Sequence, residues 1–184
     1  MDNEFIKRFI SSTIMLPIII VVILKGSLIF NLFLFFLFLL ASYEWLKMSK
    51  KKFIKSFIGI LFLILSFYSA HQLRDQTGFD FFIFLVLICI FTDLGGFFFG
   101  KLFKGPKLTK ISPKKTYSGV IGSFVLPLIF GLIYYSYVNL NYSELTKINF
   151  ILLILIISFT SQLGDLIISY FKRIAKVKDT GKFL

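Results

Sequence analysis

Residues 79–99 read FDFFIFLVLICIFTDLGGFFF, and this stretch decides the fold. Between Asp80 and Asp93 it carries no charge, and it is long enough to cross a bilayer core of about 30 Å, which takes roughly 20 mostly apolar residues in a helix. In lipid every backbone polar group must be hydrogen-bonded within the protein, so such a run predicts a transmembrane helix rather than a lone strand. Comparable runs lie at 9–24, 28–45, 57–70, 120–138 and 148–170. The chain has 184 residues, 57% of them hydrophobic and 26 of them Phe, with mean hydropathy +0.87; an ordinary soluble domain is about 45–50% apolar. Six spans use up the length, so residues 1–184 are expected to form a single transmembrane domain. The fold class expected is an all-α, polytopic membrane helical bundle of about six helices. The first run follows Lys7 and Arg8 but lacks a small-residue cleavage site, which marks it as a retained helix rather than a signal peptide.

The connections between these runs alternate between rich and poor in Lys and Arg, as the positive-inside rule requires. Lys7 and Arg8 precede the first span; Lys47, Lys50, Lys51, Lys52 and Lys55 join the second to the third; Lys101, Lys104, Lys107, Lys110, Lys114 and Lys115 join the fourth to the fifth; Lys172, Arg173, Lys176, Lys178 and Lys182 follow the sixth. Of the 21 basic residues only Lys25, Arg74 and Lys147 are left for the other side. Both termini are therefore expected in the cytoplasm, with a cytoplasmic basic loop at 100–119 and a cytoplasmic basic tail at 171–184. The loop's Gly, Pro, Ser and Thr content rules out a continuous helix. A net charge of +12 invites a nucleic-acid reading, but the charges flank spans instead of covering one soluble face, so anionic lipid or a phosphorylated substrate is the expected partner and nucleic acid is not. Cys89 is the only cysteine, which excludes an intrachain disulfide. His71, the only histidine, is expected in a polar connection on the outer side.

Acidic residues inside apolar runs are costly and mark functional candidates. Glu44 stands at the end of its run beside Trp45 and can reach headgroups. Ser158, Ser161, Gln162, Asp165, Ser169 and Lys172 recur at three- and four-residue spacing, forming one polar stripe on a helix. Read alone, the stripe serves either interhelical hydrogen bonding or a ligand. It runs into Lys172, Arg173, Lys176 and Lys178, an arrangement suited to a metal ion on the carboxylate and phosphates on the cations. Asp93 opens the segment Asp93-Leu-Gly-Gly-Phe-Phe-Phe-Gly100, where Gly96 and Gly100 let another backbone approach closely. Ser112-Pro113-Lys114-Lys115-Thr116 follows, offering hydroxyls and ammonium groups around a proline turn that suits phosphate. No phosphate loop, nucleophile elbow or zinc spacing occurs.

Asp93 through Gly122, with Ile111-Ser112-Pro113-Lys114-Lys115-Thr116-Tyr117-Ser118-Gly119, resembles the central motif of bacterial phosphatidate cytidylyltransferases, also called CDP-diacylglycerol synthases. Gly164-Asp165-Leu166, Ser169, Lys172-Arg173, Lys178-Asp179 and Gly181 are similar, in order and spacing, to the start of that family's C-terminal signature. The resemblance implies an Mg²⁺-dependent nucleotidyltransferase of phospholipid biosynthesis in the bacterial inner (cytoplasmic) membrane, moving a cytidylyl group from CTP to phosphatidic acid to give CDP-diacylglycerol and pyrophosphate. It assigns the metal to Asp165 and Asp93, and catalysis to these with Lys115. Ser112, Lys114, Lys115, Thr116, Gly119, Ser169, Lys172, Arg173, Lys178 and Asp179 fall to substrate. In the family the signature continues past the position of Leu184 into a Pro-Gly-His-Gly-Gly run and an Asp-Arg-x-Asp element supplying a further metal ligand, and the central motif often has an acidic residue where Ser118 stands; the resemblance then implies a fragment or truncated product, a partner that supplies the missing ligand, or an inactive chain. Two alternatives stand beside the enzyme: a catalytically inactive scaffold or paralogue of the same fold, and a cation or proton transporter using Asp93 and Asp165. The sequence is also compatible with a homo-oligomer.

Overall fold

The computed structural model describes residues 17, 19–49, 52–109, 112, 115–137 and 146–175. Residues 19–25 are helical and lead into α1 (Ser27–Met48), α2 (Phe53–Phe103), α3 (Tyr117–Tyr137) and α4 (Lys147–Ala175). The only β pairing among the described residues is an isolated bridge between Lys107 and Thr116. All four helices are long and apolar enough to cross a membrane, which makes this an all-α, multi-pass membrane protein.

With 51 residues, α2 would measure about 76 Å if straight, more than twice a bilayer core of about 30 Å. Gly78 divides it, at φ 82° and ψ 172°, a backbone region open essentially to glycine alone. The two halves, 53–77 and 79–103, correspond to the expected third and fourth spans, while α1, α3 and α4 correspond to the second, fifth and sixth. The expected first span, 9–24, lies mostly outside the described residues. One expectation fails: His71 is not in a loop. The helix runs on to Thr77, carrying a half-buried His71, because His71, Gln72, Arg74 and Gln76 are compatible with helix and the single glycine suffices to break it. The expected loop at 100–119 is likewise shorter, since α2 continues to Phe103 and α3 starts at Tyr117.

The chain forms two compact units, residues 1–83 and 84–184. In the first, α1 and the first half of α2 are antiparallel. Phe38 meets Phe67 edge to face at 5.7 Å, Trp45 Nε1 donates to the Lys55 carbonyl at 3.0 Å, and the Ser49 and Ser56 hydroxyls are 2.7 Å apart across the lysine-rich turn. At the opposite end Arg74 Nη2 donates to the Ile23 carbonyl at 3.2 Å, and its guanidinium lies 5.5 Å from the Phe30 ring centre.

The second unit contains the rest of α2 with α3 and α4. Phe84 contacts Phe150 at 5.2 Å, and Thr92 contacts Ser158 at 3.1 Å, so equivalent residues on α2 and α4 differ by a constant 66 and the two helices run parallel. α3 runs against both: Phe84 stacks on Tyr134 at 4.6 Å and Phe91 on Phe130 at 4.2 Å. The Phe84, Phe130, Tyr134 and Phe150 rings, with fully buried Ile88, Ile154 and Pro127, make the core. Toward the other end the helices close further through glycine. A Cβ on Gly122 would fall 2.5 Å from the Gly95 carbonyl oxygen, and one on Gly119 would fall 2.8 Å from that of Gly96. The close approach expected of Gly96 and Gly100 is thus present, and its partner is the first two turns of α3.

Gly122→Ala should lower stability by about 1–3 kcal/mol, since the obstacle is backbone and cannot rotate aside. Gly164, whose Cβ would meet nothing within 4 Å, provides the contrast: Gly164→Ala should gain about 1 kcal/mol of helix propensity. Thermal unfolding in detergent should show midpoint shifts of opposite sign.

Candidate active site

Where α2 and α3 meet through glycine, the second unit opens into a cavity of about 290 Å³. α2 contributes Thr92, Asp93, Gly96 and Phe97; the loop contributes Ser112, Lys115 and Thr116; α3 contributes Gly119, Val120 and Ser123; α4 contributes Gln162 and Asp165. Given the helix directions, it lies toward the end that carries Lys101, Lys104, Lys107, Lys172 and Arg173.

The loop is held as a narrow hairpin. Leu108 N–H donates to the Lys115 carbonyl at 2.8 Å, Tyr117 N–H to Pro106 at 3.1 Å and Lys115 N–H to Ser112 at 3.0 Å. Thr116 then caps α3, its Oγ1 accepting the Gly119 N–H at 3.2 Å, as threonine does at helix starts. The N-terminus of α3 therefore opens beside the cavity, and its partial positive charge favours an anion there. Lys115 Nζ reaches across to Asp165 Oδ2 at 3.1 Å, joining the loop to α4. The pair is partly solvated, with side-chain exposures of 29% and 57%. Asp93 and Asp165 line the same cavity from different helices; among the described residues no group of three or more His, Cys, Asp or Glu is placed to hold a metal. Below them Thr92 Oγ1 lies 2.8 Å from the Ile88 carbonyl and 3.1 Å from Ser158 Oγ, both residues being essentially inaccessible. Pro127 in α3 has no N–H to give the carbonyl four residues earlier, which is that of the cavity residue Ser123.

A model of the cytidylyltransferase family matches residues 52–184. A phosphatidate cytidylyltransferase from Rickettsia typhi is 30% identical over 187 residues, covering 96% of this chain and 80% of that protein. The chain belongs to the phosphatidate cytidylyltransferase family. Others bearing that name come from Staphylococcus epidermidis, 28% identical over 96% of this chain and 88% of the relative, and from Staphylococcus saprophyticus, 32% identical over 80% of this chain. The chain spans only 56% of the length of the latter. No solved structure matches.

Of the residues assigned from the phosphatidate cytidylyltransferase motifs, Asp93, Ser112, Lys115, Thr116, Gly119 and Asp165 are brought together around the cavity. Ser169, Lys172 and Arg173 are not: they sit on the next turns of α4, Ser169 and Lys172 half-buried and Arg173 exposed, outside the lining. Lys114, Lys178 and Asp179 lie outside the described residues. Sequence reading missed Thr92 and Ser123 as lining residues. The only signal for Thr92 was its place beside Asp93, and for Ser123 its spacing of four from Gly119 and from Pro127.

An exposed ion pair contributes at most about 1 kcal/mol, whereas a buried hydroxyl left unpaired costs about 1–3 kcal/mol. Lys115→Met should therefore leave the thermal midpoint nearly unchanged while Thr92→Val lowers it clearly. The reverse order in parallel melts would mean that the Lys115–Asp165 pair is structural.

Proposed function

We propose that this chain transfers the cytidylyl group of CTP to phosphatidic acid, releasing pyrophosphate and forming CDP-diacylglycerol, in the inner membrane of a bacterium. The observation that carries the reading is Lys115 and Asp165, 3.1 Å apart, in one cavity with Asp93 and the start of α3. Family membership and the names of the bacterial relatives support the same substrates. The transporter reading receives no comparable support.

The donor set fits Mg²⁺, an ion usually held by one or two carboxylates together with substrate phosphates and water. Asp93 and Asp165 would hold it, from two helices that the Thr92–Ser158 pair keeps in register. When bound, Mg²⁺ supplies charge neutralisation on the phosphates.

The chain's own groups do the remaining work. A phosphate monoester is already an anion near neutral pH, with a second pKa of about 6, so its oxygen needs no general base before attacking the α-phosphorus of CTP. As that O–P bond forms, the bond from the α-phosphorus to the bridging oxygen breaks, and pyrophosphate leaves with the electron pair. Negative charge builds on the oxygens around phosphorus, and catalysis consists of placing positive groups there beforehand. Lys115 supplies an ammonium as a point charge, the first N–H groups of α3 supply dipoles, and the Ser112 hydroxyl supplies a donor. The lipid's acyl chains stay in the bilayer while CTP arrives from the aqueous, lysine-bearing side.

The test is incorporation of labelled CTP into lipid by membranes containing the chain, with phosphatidic acid and Mg²⁺. Label should appear in a CDP-lipid, fall at least about 100-fold in Asp165→Asn and in Lys115→Met, on the scale of losing one charge-stabilising group, and vanish with EDTA. Undiminished labelling in Asp165→Asn, or none from folded wild-type protein, would retire the reading.

A further inference from the structure

Gln162 is a polar residue of the cavity that neither the motif assignment nor the reaction uses. It sits on α4 three residues before Asp165, roughly 4.5 Å along the helix, and four residues after Ser158, whose hydroxyl is closed off against Thr92. Gln162 thus stands between the dry Thr92–Ser158 pair and Asp165, level with Gly96 of α2 and on the bilayer-interior side of the Asp165 carboxylate. Its Nε2 is buried and finds no hydrogen-bond partner among the described residues. A buried donor without an acceptor weakens the fold, so a side chain of this kind facing a cavity is a preformed contact for a ligand atom.

The ligand follows from depth and charge. Nucleotide phosphates belong beside Lys115 and the start of α3, toward the aqueous end. The group that approaches from the bilayer side, below Asp165, is the headgroup of a lipid. A neutral amide donor beside two carboxylates suits an anionic oxygen there without adding charge to the site. We infer that Gln162 is the contact for the lipid substrate, its Nε2 donating to a phosphate oxygen of phosphatidic acid and holding that phosphate in line with the nucleotide. This rests on the proposed reaction for the identity of the lipid, and Gln162 acts on the lipid alone, not on CTP.

The full chain in detergent is titrated with dioctanoyl phosphatidic acid and, separately, with CTP and Mg²⁺, following the thermal midpoint, for wild type and Gln162→Met; Gln162→Ala, which cannot overfill the cavity, runs beside them. In the variants the midpoint rise from the lipid should need at least about tenfold more lipid, as expected for losing a hydrogen bond to a charged group, while the CTP response stays as in wild type. The unliganded Gln162→Met midpoint should be equal or higher, since an unpaired polar group has been removed. In turnover, KM for phosphatidic acid should rise with KM for CTP unchanged. An unaltered lipid response overturns the inference, and so does loss of both responses together with a lowered unliganded midpoint, the mark of a structural residue. Wild-type turnover with equal lipid KM in the variants removes Gln162 and leaves the reaction standing; no turnover by folded wild type, with lipid stabilisation lost only in the variants, removes the reaction and keeps the lipid contact.

Discussion

The approach of α2 to α3 through Gly95, Gly96, Gly119 and Gly122 is the constraint on which the second unit depends. Two helices with ordinary side chains at the contact lie about 8–10 Å apart; without a Cβ on either side, carbonyl oxygens of one helix reach the backbone of the other. The hydrophobic effect does not drive this, because lipid tails are as apolar as the helices, so van der Waals contact and hydrogen bonds must hold the pair. The consequence for chemistry is positional. Gly96 is three residues from Asp93, and Gly119 is three from Thr116 and four from Lys115, so the same contact that joins the helices sets the carboxylate against the loop.

Around that contact the second unit is graded from dry to wet. Phe84, Phe130, Tyr134 and Phe150 stack at one level; Thr92 and Ser158 follow with a closed hydroxyl pair; then come Asp93, Gln162 and Asp165 in turn, and Lys115 with the capped start of α3. Each step carries more polar valence than the one below it, and α4 supplies a residue to each by keeping Phe150, Ser158, Gln162 and Asp165 along one side. A strip that mixes apolar and polar residues in this order is what a helix needs when it leaves hydrocarbon for water along its length.

Much of this was legible in the sequence for definable reasons. Spans show because hydrocarbon tolerates few charges, and Asp93, Lys115 and Asp165 show because they interrupt or border such spans. Ser112 and Thr116 show as hydroxyls in a lysine-bearing proline turn and Gly119 through motif resemblance, and the structure adds that Thr116 also caps a helix. Three features were out of reach. Residues 71–77 read as a polar connection because polar side chains and a following glycine suit a loop as well as a helix; only the torsions at Gly78 show the break confined to one residue. Lys172 belongs to the polar stripe by spacing, yet it sits seven residues beyond Asp165, about 10 Å along the axis, and does not line the cavity. Gln162 was visible as a member of the stripe, but a satisfied and an orphaned amide have the same letter, and the difference is made by neighbours on other helices.

The stacked rings beneath the Thr92–Ser158 pair carry a consequence for the membrane as a whole. A polar cavity cut into a bilayer shortens the insulating path that ions must cross, and charge moved through a membrane under 100 mV gains about 2.3 kcal/mol, an energy the cell stores in its proton gradient. The aromatic layer fills the bundle below the cavity with stacked rings, three of them phenylalanines that have no exchangeable side-chain proton. Water can thus be admitted to the cavity from one compartment while the rings below it keep the path across the membrane apolar.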